Sequence, residues 1–109
     1  MGVADRSGKA MSLRLTELAG DLASFRNTTT EQAKTALSGV FTGETEALKK
    51  YGIVMTETNL KAYALSQGIT KAYSAMSQAE KVALRYNYVL SVTADAQGDF
   101  ARSSNSWAN

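Results

Sequence analysis

The sequence predicts a mainly α fold, a small helical domain of about four helices, and three features carry that prediction. Apolar residues recur at spacings of four and three over Met11, Leu15, Leu18, Leu22 and Phe25. The quartet Ser77-Gln78-Ala79-Glu80 has capping-box spacing and opens a long run of helical periodicity. Proline is absent from all 109 residues, so no helix is broken by a missing backbone donor.

The first helix is the amphipathic stripe itself. Asp5 or Ser7 suits its N-cap, and Arg26 with Asn27 suits its end. Its period is close to a heptad, but two heptads are too few for a coiled coil. The stripe is read as a core face, and its five residues are also the candidate self-association face. Thr28 with Glu31 then has capping-box spacing, with Thr30 the competing N-cap. Ala33, Leu37, Val40 and Phe41 make a second apolar face that ends near Gly43. Glu44 to Tyr51 is expected as a two-turn helix burying Ala47, Leu48 and Tyr51, stopped by a left-handed Gly52.

Two readings compete over the next stretch. Residues 53–65 read as a short β-hairpin: Ile53 to Thr56 is rich in β-formers, and Leu60 to Leu65 alternates as a returning strand. The rival is a helix from Thr58 to Gln67 that packs Leu60, Tyr63 and Ala64 and ends at Gly68. The hairpin is favoured narrowly. The last helix is expected to present Ala79, Val82, Tyr86, Val89, Thr93 and Ala96 on one face, widened by Ala83 and Leu90, and to stop at Gly98. Lys81, Arg85 and Asn87 fall on its wetter side. Residues 1–98 therefore read as a single mostly helical domain, and residues 99–109 as a polar C-terminal tail with Phe100 and Trp107 as its large apolar groups.

Composition narrows the chemistry. The chain has no Cys and no His, which removes disulfides, thiolate nucleophiles, the usual zinc sites and the His-based triads. A formal net charge of +2 with no basic run longer than Lys49-Lys50 gives no phosphate-neutralising surface, so no nucleic-acid partner is expected. No apolar stretch approaches the roughly 20 residues needed to span a bilayer, and the polar N-terminus is not a signal peptide.

Each catalytic constellation fails on spacing. Ser-x-x-Lys is absent, and Thr58 with Lys61 is its nearest substitute. Asp95 and Asp99 are separated by a Gly98 that breaks a helical pair, and Glu44 and Glu46 diverge on a helix. Gly39 and Gly43 lack phosphate-loop spacing and read as helix punctuation. Tyr63, Tyr73, Tyr86 and Tyr88 with Arg85 resemble a base-stacking surface, but Tyr86 lies on the apolar stripe and reads as core. The residues indicate no enzyme, no cofactor and no metal.

Three stretches carry a family resemblance in order. The first runs from Leu15 to Thr30. The second runs from Ala36 to Thr56, through Gly43-Glu44-Thr45-Glu46, and continues over Asn59 to Ile69. The third comprises Ala79 to Tyr86 and then Gln97 to Asn109, through Gly98-Asp99-Phe100-Ala101-Arg102. Together they resemble a segment of the tail tape measure proteins of long-tailed bacteriophages and prophages. That resemblance implies a virion structural protein in tail length determination and tail tube assembly. Its partners would be tail tube or tail chaperone proteins and a homo-oligomer. It would lie in the lumen of the tail tube, and in the host cytoplasm during assembly. The family offers no catalytic residue in this segment to carry over. Tape measures are far longer, so the chain reads as a fragment, an excised domain or a truncated prophage gene. The alternative is a stand-alone helical protein-binding module of prophage origin.

Overall fold

A computed structural model describes residues 2–102; Trp107 and the rest of the expected tail beyond Arg102 lie outside the described residues. The fold is mainly α, and no strand occurs among the described residues. The chain divides into two compact units where one domain is expected: residues 1–37 with 95–109, and residues 38–94.

The first unit is built on α1 (Gly2–Arg26) and α2 (Thr30–Leu37), which pack on one another as a helical hairpin. α1 begins before Asp5 and Ser7, so neither caps it. Its buried apolar residues are Leu15, Leu18, Ala19, Leu22 and Ala23. That stripe follows the straight-helix period, with Ala19 and Ala23 where a heptad would use Met11 and Phe25. The reason is the partner: α2 offers Ala33, Ala36 and Leu37, and alanine against alanine lets the two backbones approach closely. Phe25 is left 43% exposed and Met11 half-buried.

The turn between the helices is closed at both ends. Asn27 takes the left-handed conformation, with φ 59°, and Thr28 N–H donates back to Ala23 O at 2.9 Å. Thr28 is thereby committed to ending α1, and the N-cap of α2 falls to Thr29 rather than to Thr28 or Thr30. Thr29 Oγ1 accepts Gln32 N–H at 3.1 Å, and Gln32 Oε1 accepts Thr29 N–H at 3.3 Å, a complete capping box.

The second unit opens with α3 (Gly39–Thr42), closed by Gly43, whose N–H donates to Gly39 O at 2.8 Å. A Cβ on Gly39 would run into the Glu44 carbonyl oxygen, so only glycine fits there. A 3-10 helix (Glu46–Tyr51) follows, burying Leu48 and Tyr51 but leaving Ala47 exposed, and ends at the left-handed Gly52.

The expected β-hairpin at 53–65 does not form. Ile53, Val54 and Met55 are extended and alternate in burial, at 1%, 45% and 5% exposure, as a strand would. Two of their carbonyls, however, are engaged by side chains: Val54 O accepts Asn59 Nδ2 at 2.8 Å and Tyr88 Oη at 2.9 Å, and Met55 O accepts Thr45 Oγ1 at 3.3 Å. With both its lone pairs taken, the Val54 oxygen has nothing left for a returning strand. Instead Thr56 Oγ1 accepts Asn59 N–H at 3.1 Å and starts α4 (Glu57–Ser66), which buries Leu60 and Ala64. The helical alternative was therefore nearer the structure, with Gly68 left-handed beyond its end.

α5 (Gln78–Val92) carries the expected capping box at Ser77 and Glu80 and packs on α4 and α3. Val89 is buried as expected, as are Thr93 and Ala96 just beyond the helix, but the first turns present a rotated face. Leu84, Arg85 and Val89 are buried, whereas Ala79 is exposed and Val82 and Tyr86 are half-buried. The helix also ends at Val92 instead of continuing to Gln97. The buried Thr93 hydroxyl donates to Val89 O at 2.8 Å, occupying a last-turn carbonyl.

Gly98, expected as the stop of that helix, starts a further helical turn over residues 99–102 in the first unit. Gly98 has no side chain to cap this turn, and Asp21 of α1 does it instead. Asp21 Oδ2 accepts Gly98 N–H at 2.9 Å and Oδ1 accepts Phe100 N–H at 3.2 Å. The expected tail therefore begins as ordered structure.

These burial patterns give a contrast within one stripe. Leu18→Ala should lower unfolding free energy by about 3 kcal/mol, and Phe25→Ala by less than about 1 kcal/mol. Thr56→Ala should lower it by about 1 kcal/mol through the lost cap. Urea denaturation of the three variants measures all of these; equal losses for Leu18 and Phe25 would contradict the observed packing.

Candidate functional site

The candidate self-association face is mostly consumed inside the first unit. Leu15, Leu18 and Leu22 are 5%, 0% and 1% exposed, so of the five predicted residues only Met11 and Phe25 reach the surface. Leu13, which the stripe omitted, is 69% exposed on the same helix.

The residues considered for catalysis all have structural employment or stand apart. Asp95 is exposed, and Asp99 Oδ2 accepts the Ser24 hydroxyl at 2.7 Å. Glu46 pairs with Lys49 at 3.0 Å on the surface. Thr58 and Lys61 do share one turn of α4, but Lys61 Nζ is held by Glu57 at 3.1 Å. No group of three potential metal ligands occurs among the described residues. The tyrosines serve as ties. Tyr63 and Tyr88 meet edge to face at 5.6 Å, and Tyr88 also donates to the Val54 carbonyl.

A concave surface lies in the second unit, between α4, the 67–76 segment and α5. Two adjoining hollows of about 290 and 490 Å³ share Ile69, Lys71, Met76 and Leu84 in their walls. Leu84 floors them, while Leu65 and Ile69 stand 67% and 37% exposed. This groove depends on α4 being a helix, which is why the favoured hairpin concealed it. The signal was the Leu60, Tyr63 and Ala64 spacing of the helical alternative, which leaves Leu65 outside the packed face.

Beside the groove sits the feature that sequence reasoning placed wrongly. Arg85, assigned to the wet side of the last helix, is 6% exposed. Its Nη1 donates to Val40 O at 3.0 Å, one of the carbonyls left unpaired at the end of α3. Nε and Nη2 both donate to Tyr73 Oη, at 3.2 and 3.0 Å. Among the described residues, no carboxylate lies within ion-pair distance of Arg85. A long polar side chain between apolar neighbours on a helix gives no sequence sign of such burial, because the acceptors come from Val40 and Tyr73.

One carboxyl has a strongly displaced pKa. Glu80 is held down from its ordinary 4.5 to about 2, first by the Ser77 backbone N–H it accepts and then by Lys71, whose Nζ lies 2.9 Å away. Its perturbers are a cap and a surface ion pair, which makes it a device for starting α5. Because the folded pKa is depressed, the stabilisation is present above the unfolded pKa and is lost as pH falls from about 4.5 to about 2. Glu80→Gln keeps the capping acceptor but removes the titration. Acid unfolding followed by circular dichroism should therefore show a shallower loss of stability for Glu80→Gln than for the parent chain across that window.

No helix among the described residues is long and apolar enough to cross a membrane. No protein family, curated protein or solved structure matches the chain in comparison.

Proposed function

We propose that this chain is a structural, non-catalytic segment of a phage or prophage tail tape measure protein, acting in tail length determination and tail tube assembly through protein contacts. The observation that carries the reading is the ordered set of three stretches from Leu15 to Asn109. The fold supports it in kind. Gly43, in the Gly-Glu-Thr-Glu stretch, closes α3 with a left-handed residue. Gly98, in the Gly-Asp-Phe-Ala-Arg stretch, opens a helical turn against Asp21. The residues that carry the resemblance thus hold turns and caps, as structural motifs do. On this reading the partners are tail tube or tail chaperone subunits, the chain works in the tube lumen, and it passes through the host cytoplasm during assembly.

A second reading, a self-contained helical binding module of prophage origin, draws on the burial of Leu15, Leu18 and Leu22 within the first unit. That burial leaves the stripe without need of a second copy.

Two experiments separate these readings. In-frame removal of the coding stretch for residues 2–102 from the producing phage or prophage should abolish tails or change their length in electron micrographs. Unchanged tails would end the tape-measure proposal. Light scattering across a concentration series should give a defined oligomer if exposed Leu13 and Phe25 join copies, and a monomer throughout if the module reading holds.

A further inference from the structure

The groove between α4, the 67–76 segment and α5 is apolar from its base to its lip. Leu84 is buried, Met76 half-buried, and Ile69 and Leu65 are exposed, yet all four line the smaller of its two hollows. An apolar wall that runs out to the surface marks a place where something else packs. Covering Leu65 as well as Leu84 takes a ligand that lies along the surface, as a protein segment does.

The charge of the wall says which kind of segment. Lys61 and Lys71 line the smaller hollow, and among the described residues no Asp or Glu does. Tyr73 stands in the same wall, with Lys81 Nζ 5.1 Å from the centre of its ring and Arg85 bonded to its hydroxyl. Lys61 pairs with Glu57 and Lys71 with Glu80; among the described residues, Lys81 and Arg85 pair with no carboxylate. Four cations thus lie in or against this wall, offset by two carboxylates. Low-dielectric walls focus such an excess on whatever enters.

The two lysines are also free to change partners. Both pairs are solvent-exposed, where an ion pair is worth little. Glu80 keeps the Ser77 N–H at 2.8 Å when Lys71 turns away, so α5 retains its cap.

The groove is walled by helices, and no strand edge occurs among the described residues to pair with an extended chain. Affinity must then come from side chains. Two adjoining hollows suit large apolar residues three or four apart on one face of a helix.

We propose that this groove is a docking site for an acidic amphipathic helix of a partner protein. Its apolar face seats over Leu65, Ile69, Met76 and Leu84, and its flanking carboxylates meet Lys61 and Lys71. The proposal does not rest on the tail reading, and a probe peptide tests it apart from any tail protein.

The test labels the isoleucine methyl groups of the intact chain. There are two isoleucines, so Ile69 reports on the groove and the buried Ile53 is the internal reference. The probe is a capped synthetic helix of about four turns, with leucine on one face and glutamate elsewhere. Titrated at constant ionic strength, it should move the Ile69 signal saturably and leave Ile53 in place. The same peptide with glutamine for glutamate should bind about fivefold more weakly or worse. Leu65→Ala and Lys71→Gln, both at exposed positions, should each weaken binding about threefold or more, and Lys71→Arg should retain it. No saturable shift, equal affinity for the two peptides, or unchanged affinity in Leu65→Ala and Lys71→Gln overturns the proposal. So does an Ile69 shift that grows with the chain's own concentration, which marks a second copy in the groove. A shift with decanoate and none with the peptide marks a small amphiphile instead, and overturns it equally.

Discussion

The second unit is organised around a buried guanidinium. Removing an ion from water costs several kcal/mol unless its donors are met, and Arg85 is met by a helix-end carbonyl and a phenol instead of a carboxylate. That requirement ties three elements together. α5 must face Arg85 inward, α3 must end with Val40 O turned towards it, and the segment before α5 must bring Tyr73 alongside. The same requirement rotates the buried face of α5, so that Leu84 and Arg85 go inside where Val82 and Tyr86 were expected.

The first unit contains the complementary arrangement. Asp21 is a buried carboxylate on α1, and both of its oxygens accept backbone N–H groups at the start of the 99–102 turn. Among the described residues, each unit thus has one buried charged side chain on a long helix, satisfied by groups distant in sequence. The Asp21 oxygens each take a backbone donor, and Arg85 directs three of its N–H groups to Val40 O and Tyr73 Oη. Buried groups of this sort set which helices meet and in what rotation, and they do so more sharply than apolar area, which is indifferent to rotation by a residue or two.

The functional reading stands on a different footing from the fold. An all-helical architecture is shared by enzymes, binding modules and structural proteins, so it does not choose among them. The tail-protein proposal draws its weight from ordered stretches of sequence, and the structure adds that their glycines hold turns.

Legibility followed the range of the interactions. Elements specified within one or two helical turns were readable: the Ser77–Glu80 capping box, the helix end at Arg26 and Asn27, the left-handed stop at Gly52, and the core character of Leu15, Leu18 and Leu22. The hairpin expectation failed because Ile53 to Met55 has the local pattern of a strand. Its backbone oxygens are claimed by Asn59, Thr45 and Tyr88, and the last two lie about ten residues or more away. Arg85 was misplaced for a like reason, since periodicity reports polarity and not the distant acceptors that make burial tolerable. Local pattern alone was enough to show that the chain is helical, that Ser77 and Glu80 cap the last helix, that Gly43 and Gly52 end their turns, and which leucines form the core of α1. Tertiary structure decided that the chain forms two units, that Glu57 to Ser66 is a helix, and that one arginine is buried. Caps and stripes are satisfied by neighbours in sequence, whereas a buried charge or an extended backbone is settled by whichever distant group reaches it.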